Sequence, residues 1–301
     1  MTSGATPQCP NCYRGIPEGA RFCAFCGMPV PLYRKKGKVE APKEIPSLES
    51  LAGPCSVLRS SLTPFDIGRV GRILAKAAKA PLSDVTRQIN ASRGFLISGV
   101  GPDTARELAP QLDEAGLDFF IVPDDSIEDL PEAGRFSSGV FNDDGMNCEV
   151  NLPDHWKNFK RGWEDVMLVS CGRLSADISE TREERVGFLY RVDKIETRVT
   201  HKFVIDLILR SPDERIRIEE ERQDRGATAL RSEPLTQTHL MHIARQIFQY
   251  SADIPKSEGV RMLAFDGPAG FWANATFPTR RDFERYTQWL LLLMKYGKPL
   301  P

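Results

Sequence analysis

Four cysteines near the start of the chain have the spacing of a metal site. Cys9 and Cys12 form one C-x₂-C pair, and Cys23 and Cys26 form a second pair after ten intervening residues. Each pair spans a turn short enough for both sulfurs to face one ion, and a hairpin between the pairs brings them together. Four thiolates in a tetrahedron at about 2.3 Å make a closed structural zinc site that has no position for a substrate. The sequence therefore predicts one structural zinc ion.

Two disulfides or a C-x-x-C redox motif would use the same cysteines. A redox motif normally lies where a strand meets a helix, whereas the second pair here is followed by Gly27-Met28-Pro29. Disulfides need an oxidising compartment, and the start MTSGATPQCP lacks the basic and apolar regions of a signal peptide. Zinc binding, worth about 10–16 kcal/mol in zinc-finger peptides, compensates for the small core of so short a segment. We favour zinc and expect a cytoplasmic protein.

The stretch CPNCYRGIPEGARFCAFCGMPV, residues 9–30, resembles the zinc-ribbon modules that open many multidomain bacterial proteins. Gly27, directly after Cys26, permits the left-handed backbone that points N–H groups at the sulfurs. Tyr13 stands where glycine is usual in that family. The resemblance implies zinc binding by a ribbon over residues 1–30, and it implies no activity.

Length and composition indicate a soluble protein of several domains. The chain has 301 residues, a net charge of −1 and 41% hydrophobic residues. This length predicts two or three domains, and the balanced charge excludes a polyelectrolyte that would bind nucleic acid or membranes as a whole. The longest apolar run, residues 289–294, is far shorter than the roughly 20 residues of a membrane span. We expect a multidomain α+β protein without a membrane span.

Residues 31–54 are predicted to be a linker rich in proline and lysine. The first 38 residues carry six basic side chains against one acidic side chain, Glu18. A basic ribbon with a basic tail could follow phosphates by releasing counterions. A solvated linker that keeps the ribbon soluble explains the same charges, and we favour that interpretation.

Residues 55–123 are predicted to fold as a β-α-α-β-α-β middle domain. Thr63 or Asp66 is the candidate cap of the first helix. Pro81 restarts the chain in a second helix, and Gly116 ends the third in the left-handed conformation typical of helix ends.

Residues 70–122, about a sixth of the chain, resemble the C-terminal domain of the bacterial ribosomal stalk protein. The resemblance is carried by Gly99-Val100, Asp103-Thr104-Ala105 and Asp113-Glu114-Ala115-Gly116. Stalk domains bind translation factors through basic residues on their first two helices, and Arg72 matches one of these positions. Ala75 and Ser83 stand where the family is basic. The resemblance implies the fold, and a fold without its whole site does not carry the function.

An acidic linker is predicted at residues 124–136 and a third domain at residues 137–301. Strands are expected at 164–174, 186–192, 203–209 and 215–222, the last with its charged side chains facing outward. A helix from about residue 234 to 250, a strand pair at 259–265 and 271–277, and a last helix capped by Thr279 complete the prediction. This mostly antiparallel sheet with two helices is somewhat similar to pleckstrin-homology-like domains.

The other candidate residues do not form a catalytic set. His239 and His242 could share a metal, but no further ligand lies nearby in the sequence. Asp143 and Asp144 precede a glycine and fit a turn better than a calcium loop. Cys171 is expected to be a buried thiol. Nucleophile-elbow and phosphate-loop motifs are absent, so we predict that the protein is not an enzyme.

Three hypotheses for function follow from these observations, the third of which is an enzyme with a cryptic site in the last domain. The first is a non-enzymatic zinc-binding adaptor or scaffold whose partner is a protein of unknown identity. The alternative is a protein associated with nucleic acid or the ribosome, which would bind through its basic ribbon and linker. Trp156, which follows Asp154-His155 in a predicted loop, has no assigned role.

Overall fold

The computed structural model describes residues 14–15, 23, 41–186, 190–211, 214–220, 235–251, 253–265, 272 and 274–301. Beyond residue 40 the chain forms two compact units. The α/β unit comprises residues 41–130, 171–204 and 269–301. The sheet unit comprises residues 131–170 and 205–268. Each unit is therefore assembled from segments that are distant in the sequence.

The α/β unit begins with six elements in the predicted β-α-α-β-α-β order. They are β1 (Cys55–Arg59), α1 (Ile67–Ala78), α2 (Leu82–Ser92), β2 (Phe95–Val100), α3 (Pro102–Glu114) and β3 (Phe119–Pro123). The strands form an antiparallel sheet in the order β2-β1-β3. Apolar side chains of the helices and strands share one core, which includes Val57, Val70, Leu74, Val85, Ile89, Leu96, Leu108, Leu112 and Ile121.

Local signals set the helix ends in this unit. Asp66, one of the two predicted caps, accepts a hydrogen bond from the Arg69 backbone N–H at 2.9 Å and starts α1. Gly116 has a φ of +71° and follows the end of α3. The Leu117 N–H then donates to the Leu112 carbonyl at 3.1 Å, which satisfies an otherwise unpaired helix-end carbonyl.

The last helix, α6 (Arg280–Lys295), belongs to the same unit. Thr279 caps it as predicted, through a reciprocal pair of hydrogen bonds with Asp282. The buried Trp289 donates its indole N–H to the Arg59 carbonyl at 2.7 Å. Its ring lies against Gly94, where an added Cβ would be 2.0 Å from the ring. Only glycine at position 94 leaves room for this ring.

The second sheet contains both parallel and antiparallel strand pairs. Its strands are β4 (Ala133–Asn142), β5 (Gly145–Asn151), β6 (Trp156–Arg161), β7 (Val166–Val186), β8 (Tyr190–Leu209), β9 (Arg215–Glu219) and β10 (Thr276–Phe277), in the order β10-β7-β8-β9-β4-β5-β6. Strand β5 is antiparallel to both β4 and β6. Strand β4 is parallel to β9, and β10 is parallel to β7.

Strands β4 to β6 occupy residues for which the sequence predicted no strand, and β4 begins inside the predicted acidic linker. Asp143 and Asp144 form the turn between β4 and β5, as expected. The Asn142 side-chain oxygen accepts from the backbone N–H groups of Asp144 and Gly145 at 3.0 and 3.2 Å. This local bonding favours a hairpin turn.

The predicted strand at 259–265 is wrong, because residues Glu258–Ala264 form helix α5 after α4 (Gln237–Tyr250). A short apolar run fits the period of a strand or of a buried helix. Here Met262, Leu263 and Ala264 are good helix formers, and all three are buried. Within the described part of 271–277, the strand residues are Thr276 and Phe277.

The charged side chains of β9 are also placed differently from the prediction. Arg215, Arg217 and Glu219 are buried rather than solvent-facing. Asp206 on β8 is fully buried and accepts two hydrogen bonds from Arg217, both at 2.8 Å. Paired, hydrogen-bonded charges can be buried where single charges cannot. Alternation identified the strand but not the environment of its charged side.

Membrane-spanning helices were sought in the described residues. None of the helices there combines the length and the apolar character needed to cross a bilayer.

Candidate functional site

The predicted zinc ligands lie mostly outside the described residues. Cys23 is described and buried, whereas Cys9, Cys12 and Cys26 fall outside. Four sulfur donors in two C-x₂-C pairs suit zinc chemically. Within the described ranges, no three His, Cys, Asp or Glu side chains are grouped to bind a metal ion. The four-cysteine ligand set stays a prediction.

The other three cysteines are buried. Cys55, Cys148 and Cys171 are buried, as expected for Cys171. Burial raises the pKa of the Cys148 thiol to about 12. Burial, and secondarily the charge of Asp124, raises the pKa of the Cys55 thiol. Because the thiolate is the nucleophile and the metal ligand, Cys55 and Cys148 serve packing rather than chemistry.

The histidine pair on α4 has a structural use. The Thr236 backbone N–H donates to His239 Nδ1 at 3.2 Å, which closes a capping box at the start of the helix. His242 lies one turn further along and is exposed. In the described part of the chain neither joins a metal-binding group, so capping accounts for His239.

His201 and Ser175 approach each other on β8 and β7. The Ser175 Oγ lies 3.3 Å from His201 Nδ1. Burial, followed by the charge of Arg173, lowers the pKa of His201. A nucleophilic serine also needs a group that orients its base. Among the described residues no carboxylate accepts a hydrogen bond from this ring.

The buried Arg59 and the partly buried Lys256 bind backbone carbonyls. Lys256 Nζ donates to the Ile254 carbonyl at 2.9 Å, and burial lowers the pKa of Lys256 to about 8. Arg59 donates to the Thr63 carbonyl at 2.7 Å, and burial followed by the charge of Arg93 lowers the pKa of Arg59 to about 10. Each of these hydrogen bonds closes a turn of the chain. No sequence pattern marks them, because carbonyl acceptors exist at every residue.

One surface of the α/β unit exposes apolar side chains. Helices α1 and α2 meet at Gly71, where an added Cβ would lie 3.1 Å from Leu82 Cδ1. Ile67 lies one turn before Gly71 on α1. Ile67 is 36% exposed and Leu82 is 42% exposed. The close helix contact therefore leaves two large apolar side chains at the surface.

Helix α1 and its C-cap residue also expose basic side chains. Arg72, Lys76 and the C-cap residue Lys79 follow each other at spacings of four and three, which places them on one side of the helix, about 120–180° around its axis from Ile67. All three are exposed. Across the residues that the structure describes, none of the three forms an ion pair. We call Ile67, Arg72, Lys76, Lys79 and Leu82 the helical face.

Comparison with known proteins finds a match for one segment of the chain. Residues 8–30 match the family model of a zinc-ribbon domain. The match includes all four cysteines of the two C-x₂-C pairs. No curated protein and no solved structure matches the chain, so the resemblances to the stalk protein and to pleckstrin-homology-like domains find no support in known relatives.

The zinc ribbon narrows the range of functions. A zinc-ribbon domain indicates zinc or nucleic-acid binding. It covers a small part of the chain, so it does not assign a family to the rest. Arg72 was named from the sequence through the stalk resemblance, which finds no support in known relatives. The exposure of Ile67 and Leu82 was not predicted, because it follows from how α2 packs on Gly71.

Proposed function

We propose that the chain is a non-enzymatic, zinc-stabilised adaptor of the bacterial cytoplasm. In this proposal Cys9, Cys12, Cys23 and Cys26 hold one structural zinc ion. A reducing compartment keeps these thiols available as ligands. The helical face is the surface that docks a partner protein.

The observation that carries the proposal is the composition of the helical face. Ile67 and Leu82 offer exposed apolar groups, and Arg72, Lys76 and Lys79 add positive charge on another side of α1. Exposed apolar residues with a charged rim are typical of protein-binding sites. The partner that fits is a protein segment with an apolar anchor and acidic neighbours, because opposite charges steer and orient association.

The test is a crosslinked pull-down of the full-length protein from its own cells, divided into samples with and without nuclease. Leu82→Glu combined with Arg72→Glu is expected to lose partners that survive nuclease. Val199→Glu is the matched control, because Val199 is 60% exposed in the same unit and lies outside the helical face. If both variants retain the same partners, the helical face is not the docking site.

The ribbon is tested in the same experiment. Cys9→Ser with Cys12→Ser removes one half of the predicted zinc site. Nuclease-resistant partners that disappear with this variant would place the ribbon in the adaptor interface. Partners that remain would restrict the ribbon to another role.

The second candidate function is binding of nucleic acid or the ribosome through the N-terminal segment. The zinc-ribbon match and the six basic side chains against one acidic side chain in residues 1–38 favour it. Such binding weakens steeply with salt because phosphate contacts release counterions. The signature is loss of partners on nuclease treatment alone, and loss of binding when Lys35, Lys36 and Lys38 are changed to Glu. Binding that is independent of salt would eliminate this candidate.

A further inference from the structure

One of the four tryptophans is placed unlike the others. Trp163, Trp272 and Trp289 are buried, and Trp163 and Trp289 donate their indole N–H groups to backbone carbonyls at 2.7 Å. Trp156 is 57% exposed on β6. Within the described residues its ring makes no aromatic contact and its indole makes no hydrogen bond. A large aromatic ring held in solvent by a regular strand is available for stacking.

The strand register places polar groups beside this ring. Trp156 lies opposite Asn151 on β5, and Asn151 lies opposite Arg135 on β4. Side chains that face each other across strands have Cβ atoms about 4.5–5.5 Å apart. An exposed row of arginine, amide and indole therefore crosses three strands.

Further rows lie on the same side of the sheet. Asn158 is opposite Glu149, and Lys160 is opposite Asn147. Alternate residues of a strand share one face, so these side chains point to the same side as Trp156. All four are exposed. We call this side of β4, β5 and β6 the open sheet face.

The opposite side of these strands is buried. It carries Cys148, Val150 and Phe159, which are all core residues. The open sheet face is therefore backed by a packed layer, and its side chains project from fixed backbone positions. Sites built on strands hold their groups more precisely than sites built on loops.

The open sheet face carries two cations, Arg135 and Lys160, and one anion, Glu149. Lys157 and Arg161 lie on the opposite side of β6 and pair with Glu214. The Arg135 guanidinium lies 3.6 Å from the buried Glu219 carboxylate, which anchors it at one end of the row. Lys160 forms no ion pair within the described part of the chain. Arg135 therefore lies at the far end of the row that contains Trp156, and Lys160 lies further along β6 on the same face, beyond Asn158.

We propose that the open sheet face binds single-stranded nucleic acid. Trp156 stacks on an unpaired base, and Arg135 and Lys160 contact phosphates. The Asn151 and Asn158 amides offer both donors and acceptors to base edges. A duplex hides its base faces in the stack, whereas a single strand presents them. A neutral glycan would use the indole and the amides but would gain nothing from the cations.

The inference is independent of the proposed adaptor function, because it concerns the sheet unit and not the helical face. The probe is a fluorescein-labelled, mixed-sequence single-stranded RNA of about 12 nucleotides, with the corresponding duplex as comparison. Anisotropy is measured with the full-length, zinc-loaded protein over a range of salt concentrations. Single-strand binding is expected to be the tighter of the two.

Trp156→Ala is expected to weaken single-strand binding by about 5-fold to about 150-fold, the usual effect of losing one stacked base. Trp156→Phe should retain most of the affinity, because phenylalanine still stacks. Val199→Ala is the matched control for removing an exposed apolar group elsewhere. Lys160→Gln should reduce the salt slope by about one. Because Trp156 is exposed, its variants should keep the wild-type melting temperature.

Three results would overturn the proposal. The first is equal oligonucleotide affinity for the wild type and Trp156→Ala. The second is binding that disappears when Lys35, Lys36 and Lys38 become Glu while Trp156→Ala has no effect, since this assigns nucleic acid to the N-terminal segment. The third is absence of oligonucleotide binding at about 50 mM salt, a low-salt condition that strengthens phosphate contacts, combined with quenching of Trp156 fluorescence by a soluble neutral glucan.

Discussion

Adding one carbon at Gly94 should destabilise the α/β unit strongly, and removing Trp289 should abolish that effect. A Cβ at position 94 would lie 2.0 Å from the Trp289 ring. The ring is buried and its indole N–H is bonded to Arg59, so it cannot move aside without losing packing and a hydrogen bond. Overpacking of a core costs about 1–3 kcal/mol. Because the approach is so close, Gly94→Ala should lower the free energy of unfolding by about 3 kcal/mol.

Trp289→Ala alone should cost about 3–5 kcal/mol through the cavity that it leaves. In that background the space next to position 94 is open. Gly94→Ala should then be neutral or stabilising by about 0.4–1 kcal/mol, because alanine restricts the unfolded chain more than glycine does. The two substitutions are therefore expected to couple by about 3 kcal/mol, well above the deviation of about 0.5 kcal/mol found for independent sites.

The assay is urea unfolding followed by far-ultraviolet circular dichroism, since Trp289 itself is lost from the fluorescence signal. Hydrogen exchange of residues 95–100 and 280–295 shows whether the change is confined to β2 and α6. Gly53→Ala is the matched control, because no atom lies within 4 Å of the added Cβ there. Additive effects of the two substitutions would refute the packing of Trp289 on Gly94.

Three further outcomes are expected. Cys9→Ser with Cys12→Ser should lower the bound zinc from one equivalent to none, as measured by atomic emission. Cys55→Ser is the control and should retain the zinc. A full equivalent of zinc in the double variant would exclude Cys9 and Cys12 as ligands. Arg217→Met removes two hydrogen bonds to the buried Asp206 carboxylate but leaves Arg215 Nε 3.1 Å from it, so the substitution should cost about 1.5–3 kcal/mol in urea unfolding. Arg87→Met, which breaks an exposed pair with Asp84, should change the free energy of unfolding by less than about 1 kcal/mol, and equal effects would argue against the buried cluster. Burial raises the pKa of the Cys148 thiol to about 12, so this thiol should resist alkylation by iodoacetamide at pH 8 until denaturant is added. Peptide mass mapping follows the alkylation. Labelling of Cys148 at the rate of an exposed thiol would contradict its burial.

Sequence patterns located the features that depend on neighbouring residues. The caps Asp66 and Thr279 and the helix-ending Gly116 act within one turn of the chain. The two C-x₂-C pairs are equally local, and the zinc-ribbon match falls on the segment that they indicate. The sequence predicted these features because the interaction partner of each residue lies only a few positions away in the chain.

Features set by distant contacts could not be predicted in this way. The Trp289 indole and the Arg59 carbonyl are 230 residues apart, so the sequence around either residue does not predict their hydrogen bond. The interrupted pattern Ser137-Ser138-Gly139 hides β4, and without β4 and β5 there is no register to place Trp156 on an exposed face. The candidate surfaces depend on tertiary packing, whereas the metal ligands depend on spacing.

Several buried or partly buried ionisable groups are fixed by bonds within the chain. Catalysis needs a titratable group that is both accessible and free to exchange protons with a substrate. Here the Lys256 ammonium and the Arg59 guanidinium are bonded to carbonyls, and Asp206 is held by Arg217. The two proposed surfaces instead use exposed apolar, aromatic and cationic side chains, which would recognise a partner by shape, stacking and charge. If both surfaces and the zinc ribbon bind as proposed, one chain has several points of attachment, as the adaptor hypothesis requires.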